Sequence, residues 1–211
     1  LKPGMTMGPW GFHFERTNTW FEQGKAWLQY VARSQYMLQS GLFVADLCYL
    51  VGEGSPTSPP GRGGLDPAPP EGYDYDVCDA EVVLTRMSVR DGRIVLPDGM
   101  SYRILVLPPG RSMTPPLLRK IRDLVRDGAT VIGSRPLRSP SLQGYPDADG
   151  EVRALADEIW GDCDGQQITE HVCGKGRVFW GRRLDAILAD MNLPPDFLFT
   201  AGRLRPVVSY I

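Results

Sequence analysis

The sequence has no apolar run near the roughly 20 residues that a membrane-spanning helix needs, so no membrane partner is expected. It also has no excess of either charge. Its 23 basic and 25 acidic residues are well mixed and give a formal net charge of −2, which removes the electrostatic ground for binding nucleic acid or an anionic lipid surface. Histidine is scarce: His13 and His171 are the two present. Neither has a second histidine or cysteine at ligand spacing, so no metal site is expected within the chain. The four cysteines, Cys48, Cys78, Cys163 and Cys173, form no CxxC pair, which points to small buried residues in place of a zinc or redox motif. No GxGxxG follows a strand; Gly61-Arg62-Gly63-Gly64 falls in a proline-rich loop instead.

What the sequence does have is punctuation. Its 24 glycines and 19 prolines gather in a few stretches, and those stretches read as loops between regular elements. Residues 1–19 mix glycine, proline, aromatic and polar side chains and suit an ordered loop. From Trp20 to Leu38 the apolar residues recur at helical spacing, with Thr17 or Asn18 as cap and Gly41 as stop. Leu42 to Val51 reads as a buried strand, and the Pro/Gly-rich stretch from Gly52 to Gly72 as a long functional or mobile loop.

Further on, the pattern becomes regular. A short helix is expected over about Val77 to Met87, then a hairpin turning at Asp91-Gly92. Tyr102 to Leu107 reads as a strand, Pro115 to Asp127 as an amphipathic helix stopped by Gly128, and Ala129 to Gly133 as the next strand. That succession is a βαβ unit and implies a parallel sheet. A helix over Glu151 to Trp160, a hairpin turning at Gly174-Lys175-Gly176 and a helix over Leu184 to Met191 complete an open, mostly parallel α/β domain of flavodoxin-like or class I amidotransferase-like kind.

The densest chemistry lies in Gly8 to Glu22, where His13, Glu15, Arg16, Asn18, Trp20 and Glu22 stand among aromatics and glycines. Flat aromatic faces pack on the apolar face of a pyranose, and planar charged groups bond pairs of hydroxyls, so the stretch suits a sugar site; a self-satisfied structural loop is the competing reading. Glu15 and Glu22 could be imagined as the carboxylate pair of a glycosidase. Glu22 is better explained by its place in the first helical turn, where the helix dipole favours it. Glu15 stays open. Asp74, Asp76 and Asp79 alternate like calcium ligands, yet the glycine and closing glutamate of an EF-hand loop are missing; helix capping fits one of them better. An amidotransferase would need a cysteine on a strand-to-helix turn. Neither PPGRSMTP nor SRPLRSP, which follow the two central strands, offers one.

Taken in order, PGMTMGPWGFHFERTNTWFEQ, QYVARSQYMLQSGLFVADLCYLVGE, GYDYDVCDAEVVL, LPDGMSYRILVLP, LLRKIRDLVRDGATVIG and SPSLQGYP resemble the α-L-rhamnosidases of glycoside hydrolase family 106. The resemblance implies a large, calcium-assisted inverting glycosidase with a (β/α)8 barrel, periplasmic or secreted, acting on a carbohydrate. Residues 1–41 would then supply the mouth loop and last helix of the barrel. Residues 42–192 would be an amidotransferase-like accessory domain without its nucleophile, and residues 193–211 the start of a β-rich domain. Substrate binding would fall to His13, Glu15, Arg16 and Trp20. The acid and base would lie upstream of Leu1 in the remaining domains of the parent, the catalytic residues within this chain would be unknown, and the isolated chain would be inactive. No cofactor is expected within the chain, calcium being a matter for the parent. Leu1 in place of Met, and a last strand that stops at Ile211, fit the expectation of a fragment. The alternative is a noncatalytic interaction or assembly module.

Overall fold

In the computed structural model, which describes residues 18–197, the chain divides between Leu42 and Phe43 into two compact units. In the first, residues 18–24 form turns and α1 spans Lys25–Leu38. The helix starts later than its apolar spacing predicts. The reason is local: Phe21 N bonds Asn18 O and Gly24 N bonds Trp20 O, winding a separate turn before the helix. Gly24 is the N-cap, with no side-chain cap, so Asn18 does not fill that role; Thr17 lies outside the described residues. The helix ends at Leu38 with Gln39 as its C-cap, two residues before Gly41. None of its residues is buried, and Trp27 and Tyr36 are 55% and 76% exposed.

The second unit runs β1 (Leu47–Leu50), β2 (Tyr75–Cys78), α2 (Ala80–Thr85), β3 (Ser88–Arg90), β4 (Arg93–Val95), β5 (Ser101–Tyr102), β6 (Ile104–Val106), α3 (Pro115–Asp127), β7 (Thr130–Ile132), α4 (Ala148–Trp160), β8 (Glu170–Cys173), β9 (Gly176–Phe179) and α5 (Leu184–Asp190). Six strands form one sheet in the order β2-β1-β6-β7-β9-β8, and β3-β4-β5 form a small antiparallel one. All neighbours in the large sheet are parallel except β8 and β9. Its first four places follow the flavodoxin-like winding of a mostly parallel sheet, the α/β class expected from the sequence.

The pleat explains how the sheet is covered. Cys48, Leu50, Leu105, Val131 and Val178 face a core built with Leu118, Ile121 and Val125 of α3 and with Val152 and Ile159 of α4. The alternate residues Leu47, Tyr49, Ile104, Val106 and Phe179 face Leu184, Ile187 and Leu188 of α5 and Leu65 of the proline-rich loop. Residues one apart on a strand point to opposite faces, so β1, β6, β7 and β9 each feed both cores. α3 matches its expected span because its apolar stripe, Pro115 in its first turn and Gly128 at φ 125° as its stop all agree.

In the second unit, three elements differ most from expectation. The stretch read as a helix over Val77 to Met87 opens as β2, which pairs with β1 from Leu47↔Tyr75 to Leu50↔Cys78, and only Ala80–Thr85 is helical. Backbone pairing outweighs the weak strand propensity of its aspartates. The strand read over Tyr102 to Leu107 is split at Arg103, with Tyr102 in the small sheet and Ile104 in the large one. The strand read over Leu42 to Val51 narrows to Leu47–Leu50. The two hairpins form as expected, the first through Asp91 and Gly92 at φ 51° and 72°, the left-handed pair of a type I′ turn. Leu193 N bonds Leu188 O; beyond Phe197, the strand expected to enter a β-rich domain lies outside the described residues.

Gly176 begins β9 against the end of α3, where a Cβ would stand 2.2 Å from Ala129 O and 2.3 Å from Val125 O. Gly150, inside α4, has open space at the same position. Gly176→Ala therefore lowers stability by about 1–3 kcal/mol, as overpacking does, while Gly150→Ala raises it by about 0.5–1 kcal/mol through helix propensity. Urea unfolding checks both, the midpoints moving in opposite directions at constant slope.

Candidate functional site

Of the residues predicted to face a sugar, His13, Glu15 and Arg16 lie outside the described residues. Trp20 lies within them, in the turn before α1, half-buried. Its ring rests against Gly24, where a Cβ would come within 3.0 Å of Trp20 Cζ3. A side chain at that position would crowd the indole.

The aspartates that alternate like calcium ligands are spent on three separate structural tasks. Asp79 caps α2 by accepting from Val82 N at 3.0 Å. Asp76 accepts from the Tyr102 hydroxyl at 2.8 Å, tying β2 to the small sheet. Asp74 accepts from Tyr75 N and lies 3.8 Å from Arg62. Among the described residues no three His, Cys, Asp or Glu side chains are grouped so as to hold a metal ion.

Among the described residues, the cysteines and His171 supply no nucleophile with its base. Cys48 and Cys78, thirty residues apart in the sequence, meet across β1 and β2 with their sulfurs 3.4 Å apart. The contact with Cys78, reinforced by burial, pushes the Cys48 thiol far above its ordinary pKa. Burial raises Cys163 and Cys173 as well. His171 Nδ1 is 2.9 Å from Ile159 O, and its ring packs on Gly161, where a Cβ would fall 2.5 Å from the ring. This histidine joins β8 to the end of α4, a structural role.

A cavity of about 400 Å³ does open at the carboxyl ends of β6, β7 and β9. Apolar walls come from Pro67, Pro108, Ile132 and Trp180, and polar groups from Asp66, Ser134, Arg182 and Arg183. Ser134 donates to Gly110 O. Arg182 pairs with Asp190 and Glu170, and Arg183 with Asp185. Arg111 lies over the Trp180 ring, 5.5 Å from its centre. The wall carrying Asp66 belongs to the long proline-rich loop, which is pinned in place: Tyr49 donates to Pro67 O at 2.7 Å, and Arg62 to Pro70 O and Tyr73 O at 2.8 Å each. Sequence reasoning missed this cavity. The available signal was the run of Pro, Gly and Ser immediately after successive parallel strands, where open α/β sheets hold their ligands.

Comparison with known proteins agrees in kind. The family model described as alpha-L-rhamnosidase, of glycoside hydrolase family 106, matches residues 1–210. A Formosa agariphila protein named as a beta-glucuronidase is 45% identical over 161 residues, 76% of this chain and 14% of that protein. The solved rhamnosidase of Novosphingobium sp. PP1Y superposes with a TM-score of 0.76 at 29% identity, over 93% of this chain and 18% of that one. The chain thus spans less than a fifth of the length of either relative.

With their pKa values raised, the buried thiols are almost wholly protonated at pH 8, and the thiolate is the reactive form. Iodoacetamide in native buffer at pH 8 should therefore leave Cys48, Cys163 and Cys173 unmodified, while in concentrated urea all four cysteines react. Intact-mass spectrometry counts the adducts, and fast native labelling of Cys163 or Cys173 would contradict their assignment as inert.

Proposed function

The chain belongs to the α-L-rhamnosidase family, glycoside hydrolase family 106, and from that premise we propose that it is a segment of an inverting glycosidase that removes terminal α-L-rhamnosyl groups from plant or microbial polysaccharides. The observation that carries this reading is the family match along residues 1–210. It takes in the aromatic and charged stretch before α1 as well as the whole α/β unit. The small share of each relative that the chain spans supports the rest of the reading. Catalysis belongs to the remaining domains, with residues 1–41 closing the mouth of a barrel and residues 42–192 forming an amidotransferase-like accessory domain.

An inverting glycosidase needs one carboxylic acid to protonate the leaving oxygen and one carboxylate to activate water on the opposite face of the sugar. In this reading both stand outside the chain. What the chain contributes is position. The Trp20 indole offers a flat apolar face to a pyranose, the Arg16 guanidinium donates to neighbouring hydroxyls, and Glu15 and His13 complete the polar contacts. Calcium is part of the family expectation for the parent enzyme. The described residues do not fit it, since their acidic side chains are dispersed among caps and ion pairs, and no step is assigned to it.

A second reading, an interaction or assembly module, draws on the α/β unit itself. The carboxyl ends of β6 and β7 lead into Leu107–Met113 and Gly133–Pro140, which contain no cysteine. An amidotransferase-like sheet without a nucleophile is suited to holding domains together. The two readings are compatible within one enzyme.

Replacing Arg16 by alanine in the full-length parent should lower kcat/KM on an aryl α-L-rhamnoside by about 10- to 100-fold, the range for losing a charged hydrogen bond to the substrate. An unchanged value would remove Arg16 from the substrate site.

A further inference from the structure

In a doubly wound sheet the crevice for a ligand lies outside the carboxyl ends of the strands, by preference where the strand order reverses. Here that reversal lies between β1 and β6, and the chain fills the place itself. Glu53, just after β1, accepts from Thr114 N at 2.8 Å and from Thr114 Oγ1 at 2.6 Å, so its carboxylate takes the N-terminus of α3 and satisfies a backbone donor there. The space left open is further along the same edge, in the cavity of about 400 Å³ at the ends of β6, β7 and β9.

We propose that this cavity, built wholly from the second unit, binds a neutral polyhydroxylated ligand the size of a single pyranose. Its volume is at the lower end of the range for small-molecule sites, roughly 300–1,000 Å³. Apolar walls with a few convergent polar groups are the usual composition of such a site. The charge balance disfavours an anion. Arg182 is committed to Asp190 and Glu170, and Arg183 to Asp185, so no uncompensated cation waits for an anion. Among the described residues the Asp66 carboxylate has no hydrogen-bond or ion-pair partner in the protein. A hydroxyl both donates and accepts. A sugar can donate to Asp66 and to the Ser134 hydroxyl oxygen, and accept from the guanidinium of Arg182. Pro67, Pro108 and Ile132 then cover its C–H face.

The wall is already formed in the absence of ligand. Tyr49, Arg62 and buried Leu65 hold the loop that carries Asp66, so binding need not spend free energy on ordering it.

The test uses the full-length parent and ligand-observed NMR titration with L-rhamnose, D-glucose, D-galactose and D-xylose, with glucuronate and inorganic phosphate as the anionic arm. Ser134→Leu fills the cavity, and Asp66→Ala removes its free acceptor from an exposed loop without touching the core. The expected result is that at least one neutral sugar loses affinity by about tenfold in both variants, the scale of one or two lost hydrogen bonds, with the far-UV circular dichroism retained. If Ser134→Leu fails to fold, Asp66→Ala decides by the same readout. Unchanged binding of every neutral sugar overturns the proposal, as does a loss confined to glucuronate or phosphate. The readout is independent of hydrolysis: a parent inactive on rhamnosides that still shows this Asp66-dependent binding would sink the proposed function and leave the site standing.

Discussion

The second unit depends on keeping water from both faces of two short strands. Ile104–Val106 and Thr130–Ile132 are buried on either side, and six residues cannot by themselves hold a sheet together. They persist because α3 and α4 cover one face and α5 with Leu65 covers the other. Burying a Val, Leu or Ile side chain contributes about 1.5–3 kcal/mol, and here nearly every strand position contributes to one core or the other. The outer parts follow from this. The β8–β9 hairpin adds one parallel strand and ends in an antiparallel edge, and α5 returns to close the second face.

Where the sequence was legible, several signals agreed. For α3 the apolar stripe, the prolines at its start and Gly128 at its end all gave the same span. The Asp91-Gly92 and Gly174-Lys175-Gly176 turns fixed two hairpins for an equally local reason, a backbone that needs left-handed residues. Where the reading missed, the deciding force was distant. Nothing near Tyr75–Cys78 marks it as a strand, with an aspartate in its middle and others on either side; it is one because β1 offers it a partner. Arg103 interrupts a run of β-formers because Tyr102 and Ile104 answer to different sheets. The late start of α1 is the local exception: a separate turn closed by Gly24 precedes the helix and continues its spacing.

The same contrast governs the sites. A cluster contiguous in sequence, such as His13 to Trp20, draws the eye through composition alone. The cavity at the carboxyl edge takes its polar groups from Asp66, Ser134 and Arg182, each ordinary in its own surroundings, and only the strand order brings them together. Features that did look chemical in sequence were absorbed by the fold. Asp79 became a cap, Asp76 a tether for Tyr102, and His171 a brace on Gly161. In each case a single well-placed backbone or side-chain partner accounts for the residue.

Glu53 shows how a fold can keep its architecture while moving its site. A helix N-terminus facing a strand reversal is a ready place for an anion, and any ligand there would have to displace a carboxylate held at 2.6 and 2.8 Å by Thr114. The displacement would leave Glu53 without its partners and the incoming group with the same two donors, so an exchange gains nothing. The self-capped reversal therefore already carries an anion of its own, and the edge is left open where proline walls and compensated arginines favour a neutral, hydroxyl-bearing guest.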